Sequence, residues 1–360
     1  MNITDIKPWF DVSPFGMDSK SKEQVFTQRM SELTEYHSGR CPIYASILDA
    51  IGHNKDCGRL DQAPFLPVSI FKRLELISVP RESVLAVLTS SGTTGQLVSK
   101  IYLDEANSIN QKRVLVRISS DFIGPKRLPM LVVDSPTHNL EMDTVPARRA
   151  AVLGFSTVAR SITYALNSDL SLDEKTVRDF FRLHANEPCI IFGFTFMIWK
   201  YFLCPISVEG NAPQLPEAII VHGGGWKRMV EQSVTNVEFK ESARKILGIR
   251  HVHNYYGMVE QTGSLFFECD KGYLHCSVFS DVLIRRHQDF SVCEKNERGI
   301  IQLMSVLPTS YPGHNVISED LGVLCGEDDC ECGRKGKYFL VSGRISKSEV
   351  RGCSDVPRSI

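Results

Sequence analysis

Apolar runs of strand length at 128–133, 189–194 and 218–221, and a further strand over 252–256, recur between stretches of helical spacing, and this alternation constrains the fold more than any other feature. Strands separated by helices return to a sheet by crossovers, so the pattern predicts an α/β chain, mostly parallel, with helices on both faces. One helix opens at Leu172-Asp173 and carries Val177, Phe180, Phe181 and Leu183; another spans about 240–247. Asp104 is placed to cap a helix running to about Ser119, with Ile109, Leu115 and Ile118 on its apolar side. From 273 to 324 the runs shorten and read as a small barrel or antiparallel lobe.

Residues 1–75 read as a helical preface. Ser21-Lys22-Glu23-Gln24 has capping-box form, Val25, Phe26, Met30 and Leu33 follow at helical spacing, and Gly39 stops the helix. A second helix is expected over 43–51, and 64–71 is too proline-rich for a central strand.

Ligands of open α/β sheets sit beyond the carboxyl ends of strands. Three such ends carry unusual chemistry. After the run 84–88 comes Thr89-Ser90-Ser91-Gly92-Thr93-Thr94-Gly95-Gln96, whose hydroxyls and glycines can turn successive N–H groups toward anionic oxygens. It is not a Walker loop, because no Gly-Lys-Ser/Thr closes it. After 218–221 comes His222-Gly223-Gly224-Gly225, either a flexible turn or a place where backbone lies along a flat base. After 252–256 comes Gly257-Met258-Val259-Glu260.

Ser90-Ser91-Gly92-Thr93-Thr94-Gly95 resembles the phosphate loop of adenylate-forming enzymes, although Val98 stands where that family usually has Lys and the first basic residue is Lys100. The longer stretch on to Asp104 is similar to the acyl-protein synthetase branch, LuxE-like and related to phenylacetate-CoA ligases. The resemblance implies that the fold is the large domain of that superfamily, over 76–340, with a truncated hinge and tail at 341–360. It implies that Ser90, Ser91, Gly92, Thr93, Thr94 and Gly95 bind the phosphates of ATP. Gly223, Gly224 and Gly225 would lie along adenine, Tyr256 and Gly257 would line the nucleotide, and Glu260 would hold Mg2+, which prefers hard oxygen ligands. Asp320, in Glu319-Asp320-Leu321-Gly322, would accept from ribose hydroxyls, and Arg344 of Gly343-Arg344 would contact the nucleotide. Catalysis would rest on Thr94, Glu260 and Cys353. Phe192 to Trp199 falls at the acyl-pocket wall of the family, yet a buried helix start has the same composition.

In most adenylate-forming enzymes the Gly-Arg hinge opens a further domain. This chain ends at Ile360, so the resemblance implies that none follows and that Cys353 becomes the acyl acceptor, as in acyl-protein synthetases. A thiol of pKa about 8.5 is only slightly ionised at neutral pH. Arg344, Lys347 and Arg351 would raise that fraction, and Glu349 and Asp355 oppose them. The expected activity is activation of a carboxylic acid, of fatty type, as acyl-AMP, then transfer to Cys353 for an acyl-reductase (LuxC-like) partner. Two alternatives remain: a CoA ligase of the phenylacetate type, and a non-catalytic nucleotide-binding scaffold of a reductase complex.

Other features bound the setting. A net charge of −1, spread along 360 residues, gives no electrostatic case for nucleic acid or an anionic membrane. No run approaches the ~18 apolar residues of a membrane span, and the N-terminus has no signal-peptide pattern. Eleven scattered cysteines fit reduced thiols in a cytoplasm. Cys325, Cys330 and Cys332 cluster, but zinc needs four ligands and only three thiols are local.

Overall fold

The computed structural model describes residues 3–53, 58–90, 97–136, 145–209, 213–226 and 233–345. The expected alternation folds as a six-stranded central sheet in the order Phe266–Phe267, His251–Tyr256, Ile219–Gly223, Ile190–Phe194, Leu128–Val132, Ala159–Tyr164. The longer strands pair in parallel, and Phe266–Phe267 runs antiparallel on the edge. Parallel strands covered on both faces have no polar side. Every residue of Leu128–Val132, Ile190–Phe194 and Ile219–Gly223 is accordingly buried.

Alternate residues serve opposite faces. Met130, Val132, Ile190, Phe192 and Val221 pack with Val114 and Ile118 of helix Glu105–Ile123. Leu131, Ile191 and Ile220 pack on the other face with Phe180, Phe181, Phe239 and Leu247. The two helices on this second face are locally well terminated. Asp173 accepts from the Thr176 N–H at 2.9 Å at the start of Glu174–His184. Asn236–Leu247 opens with a capping box between Thr235 and Glu238 and closes at Gly248, φ 70°. Caps of this kind each contribute about 1 kcal/mol.

A second, antiparallel sheet takes the order Leu274–His275, Lys337–Arg344, Asn315–Glu327, Arg298–Ser305, Ser280–Arg285, with Leu66–Pro67 alongside Asn315–Glu327. Helix Ser19–Ser38 is tied to it through charge: Lys22 Nζ lies 3.6 Å from Asp281 and donates to the Ser280 carbonyl at 2.7 Å. Burial works against ionising Asp281, but Lys22 and Lys337 outweigh it and hold the carboxyl below its usual range. No helix among the described residues is long and apolar enough to cross a membrane.

Several local expectations are corrected. The strand Val84–Thr89, which carries the hydroxyl loop, is not in the parallel sheet. It forms a hairpin with Lys100–Asp104 and pairs with Val145–Pro146 in a separate three-stranded sheet. Asp18, not Ser21, caps the first long helix and accepts from Ser21 N–H at 2.9 Å. Ile109 and Leu183 are exposed, while Val114 and Ile118 carry the apolar face of helix Glu105–Ile123. Leu66–Pro67 and the 3-10 turn Val68–Lys72 occupy the proline-rich connection.

Candidate active site

Three parallel strands end side by side, with Phe194 paired to Gly223 and Gly223 to Tyr255. The glycine run leaves the sheet here. Gly224 has φ 75°, and a Cβ on it would stand 2.3 Å from Phe194 Cδ1. A Cβ on Gly223 would stand 2.7 Å from the Tyr255 carbonyl oxygen, whereas Gly225, φ 59°, faces open space. Two of the three glycines are thus imposed by close approach, and the third by backbone conformation alone.

Thr195, which sequence reasoning passed over, holds this turn. Its Oγ1 donates to the Gly223 carbonyl at 3.1 Å and lies 3.0 Å from His222 Nδ1. A hydroxyl has one proton, so with that proton on Gly223 the oxygen accepts from His222 Nδ1–H. His222 is buried against Phe239 at 4.4 Å between ring centroids, and burial, aided by Lys240, pushes its pKa down to about 3. The ring is a neutral strut for the shelf. The aromatic stretch Phe192 to Trp199 is mainly core: Phe192 is buried on one face of the sheet, Met197 and Ile198 on the other, and Phe196 and Trp199 pack partly against the latter cluster.

The neighbouring strand His251–Tyr256 delivers the next group. The Tyr256 phenol donates to Asp320 Oδ2 at 2.8 Å. Burial first, then Asp320, keeps the phenol protonated far above the ordinary tyrosine range. Burial also raises the Asp320 carboxyl, against the pull of Tyr256 and Arg344. Asp320 and Arg344 are register partners on adjacent antiparallel strands, with Arg344 Nε 3.9 Å from Asp320 Oδ1. Arg344 also donates to Glu319 at 2.7 Å.

Gly257 to Leu265 form the turn from His251–Tyr256 into Phe266–Phe267, and at Gly257 a Cβ would stand 2.9 Å from the Ser264 carbonyl. Glu260 lies in this turn, 8% exposed, and its carboxylate makes no hydrogen bond or ion pair among the described residues. Its backbone is held from both sides. The two N–H bonds of Gln261 Nε2 serve the carbonyls of Gly313 at 2.8 Å and Leu303 at 3.0 Å, with the His314 carbonyl sharing at 3.2 Å. Thr262 N–H donates to the Tyr311 hydroxyl at 2.9 Å. A buried carboxylate costs several kcal/mol unless a cation or donor meets it. A carboxylate with no partner among the described residues suits a hard divalent cation.

The strand Val84–Thr89, which precedes the hydroxyl loop in sequence, belongs to the third sheet. Ser90 closes the loop's neck: Ser90 N–H donates to the Ser99 carbonyl at 3.2 Å, and Ser99 N–H donates to Ser90 Oγ at 3.0 Å. Ser91, Gly92, Thr93, Thr94 and Gly95 lie outside the described residues, as does Cys353. The loop's strand is bound to the Glu260 turn by shared apolar packing and a hydrogen bond. Leu88 packs on the same apolar cluster as Tyr256, Met258 and Val259. Tyr102, the hairpin partner of the preceding Val87, accepts at its carbonyl from Ser310 Oγ at 2.8 Å, and the adjacent Tyr311 grips Thr262.

Comparison with known proteins gives one consistent direction. The family model described as "Acyl-protein synthetase, LuxE" matches residues 2–359. The long-chain-fatty-acid–luciferin-component ligase of Aliivibrio fischeri is 22% identical over 329 residues, covering 88% of this chain and 83% of its own. That of Vibrio harveyi is 22% identical over 361 residues, covering 95% and 89%. Among solved structures, 2-hydroxyisobutyryl-CoA ligase in an open conformation, in complex with 2-HIB-AMP and CoA, superposes with a TM-score of 0.73 at 14% identity, covering 92% of this chain and 76% of that one. The fold is that of the adenylate-forming enzymes, as expected from the sequence.

Proposed function

The chain is a ligase belonging to the acyl-protein synthetase family, and on that premise we propose that it joins a fatty acid to AMP and then to a thiol. In the first step a carboxylate oxygen attacks the α-phosphorus of ATP. The α–β bridging P–O bond breaks, pyrophosphate leaves, and acyl-AMP remains. In the second step the Cys353 thiolate attacks the acyl carbonyl, the C–O bond to AMP breaks, and a thioester forms. A reductase partner then receives the acyl group.

The observation that carries this reading is the convergence at one sheet edge of Tyr256 bonded to Asp320, Glu260 four residues on with no partner among the described residues, and the glycine shelf beside them. Adenine would lie along Gly223, Gly224 and Gly225, with Tyr256 and Gly257 at its side. Asp320 would accept from the ribose hydroxyls, and Arg344 would meet the nucleotide from the adjacent strand. Glu260 would hold Mg2+, which supplies charge neutralisation for the transferring phosphates. Ser90 sets the neck of the phosphate loop, and Ser91, Gly92, Thr93, Thr94 and Gly95 would neutralise charge on the transferring phosphates. These groups act by positioning and electrostatics rather than by covalent chemistry. The nine described cysteines are all free thiols, which suits a cytoplasmic setting.

The test is covalent labelling. With radiolabelled fatty acid, ATP and Mg2+, the wild-type chain acquires a label released by neutral hydroxylamine, and Cys353→Ser does not. A label retained in Cys353→Ser refutes that acceptor; soluble acyl-CoA formed equally by both proteins, with no protein label, refutes the protein-thioester step.

A further inference from the structure

The structure assigns a structural zinc site to Cys269, His275, Cys330 and Cys332, remote in function from the nucleotide edge. Their ligand atoms, three Sγ and one imidazole nitrogen, all lie within 4.8 Å of one another. Cys332 Sγ is 3.3 Å from His275 Nε2. Tetrahedral zinc with Zn–S near 2.3 Å and Zn–N near 2.0 Å sets its ligands about 3.8 Å apart, so closure around an ion needs shifts of less than about 1 Å. Cys269, His275 and Cys330 are buried, and Cys332 is half-buried. Three thiols and one imidazole form a known closed structural set, with no position open for substrate.

The backbone supports the assignment independently. Cys269 and Cys330 each begin a tight turn of the same construction. The Cys269 carbonyl accepts from Gly272 N–H at 2.9 Å, and the Cys330 carbonyl from Gly333 N–H at 3.0 Å. Both glycines are left-handed, at φ 85° and 82°. Each turn brings its side chains back toward a common centre: Cys269 with His275 across the first, Cys330 with Cys332 within the second. Among the described residues His275 Nδ1 has no hydrogen-bond partner, and the ring's polar contact there is on the thiol side. Cations stand by: Lys271 pairs with Glu331 at 2.6 Å, and Arg334 with Asp121 at 2.7 Å. Binding would release the three thiol protons to solvent and leave a centre of net charge −1, which Lys271 and Arg334 offset.

The fourth ligand explains what the local cysteine count could not. Cys325 is not in the set; its Sγ lies 3.6 Å from its neighbour Val323's carbonyl. The place in the fold gives the site a task. Cys269 directly follows the edge strand Phe266–Phe267 of the central sheet, whereas Cys330 and Cys332 lead into Lys337–Arg344 of the antiparallel sheet. An ion here would clamp the two sheets at the end opposite Arg344.

Metal content of the full chain, purified with a reductant and without chelator, tests this. About one zinc per chain is expected by elemental mass spectrometry. Cobalt exchange should give the visible bands of tetrahedral cobalt–thiolate, and p-hydroxymercuribenzoate should release the zinc. Cys325→Ser keeps the metal, while Cys332→Ser and Cys269→Ser lose it. Should those variants fail to fold, the wild-type cobalt spectrum and zinc release decide alone. Wild-type protein that binds no zinc before or after reconstitution with zinc sulfate overturns the assignment. So does a disulfide between any two of the three cysteines, or zinc retained in full by folded Cys332→Ser and Cys269→Ser.

Discussion

The Tyr256 phenol donates to Asp320 Oδ2 at 2.8 Å across two sheets that share no strand. Tyr256 ends a parallel strand of the central sheet, and Asp320 sits on the long antiparallel strand Asn315–Glu327. Because burial and Asp320 hold the phenol protonated, the bond is a fixed donor at neutral pH. It leaves Asp320 Oδ1 facing Arg344, and so orients the carboxylate that the ribose would meet.

Tyr256→Phe keeps the ring and removes the bond. Hydrogen bonds to charged groups contribute about 1.5–3 kcal/mol. Nucleotide Kd should therefore rise about tenfold or more, and the unfolding midpoint should fall as well, because the bond already exists in the fold without ligand. Calorimetric titration with ATP measures this, and unchanged affinity would remove Asp320 orientation from the account.

Gly224→Ala and Gly225→Ala separate crowding from backbone strain. Both positions have positive φ, which costs about 1–3 kcal/mol for other residues. Only Gly224 also faces the Phe194 ring, and overpacking adds about 1–3 kcal/mol. Gly224→Ala should lower the urea midpoint further and abolish stabilisation by ATP. Equal midpoints for the two variants would count against the observed shelf.

Glu260→Gln is isosteric and removes a buried charge with no described partner. Acid-dependent pyrophosphate release should fall by about 100-fold or more, the size of a lost metal contact worth several kcal/mol. Folding stability should hold or rise, because an uncompensated carboxylate is costly to bury. Near-normal turnover in the variant would show that the metal is held elsewhere.

Stability should fall as pH drops from 7.5 to 5.5. His37 is buried between Ser78 Oγ at 2.7 Å and the Pro308 carbonyl at 3.1 Å, and burial, with Arg29 and Arg40, lowers its pKa to about 3. His222 is also lowered to about 3 by burial, and burial and His37 push His314 well down. A histidine depressed in the folded state leaves stability intact above its unfolded pKa near 6.5 and withdraws it as pH falls toward the folded value. The slope is at most about 1.4 kcal/mol per pH unit for each such residue. Urea unfolding across this window, above the ordinary carboxylate range, measures it, and folded His37→Gln should have a shallower slope. An identical slope in that variant would mean that His37 does not contribute.

What the sequence disclosed follows from the range of each interaction. Strands 189–194 and 218–221 were legible because burial on both faces leaves uninterrupted apolar runs. Ala159–Tyr164 was not: it is the edge strand, and Arg160 and Ser161 are exposed. Asp320 and Tyr256 were readable only through family resemblance, since nothing local links residues 64 positions apart. The sheet chosen by Val84–Thr89 was illegible for the same reason, because pairing partners are set by distant register. Ile109 and Leu183 were misplaced because a short apolar stripe admits two neighbouring rotations of a helix, and packing selects one. Thr195 carried no signal at all; its worth appears only once Gly223 and His222 stand beside it. Zinc was discounted because two ligands, Cys269 and His275, lie on a hairpin far upstream of Cys330 and Cys332.

The central claim is that the main body of the chain charges a carboxylic acid with AMP before any thiol takes part. Exchange of labelled pyrophosphate into ATP, driven by long-chain fatty acid and Mg2+, reads that step alone. The account predicts exchange that requires the acid, persists in Cys353→Ser and disappears in Glu260→Gln. Absence of exchange with every carboxylic acid tried, or exchange that vanishes with Cys353, would contradict it.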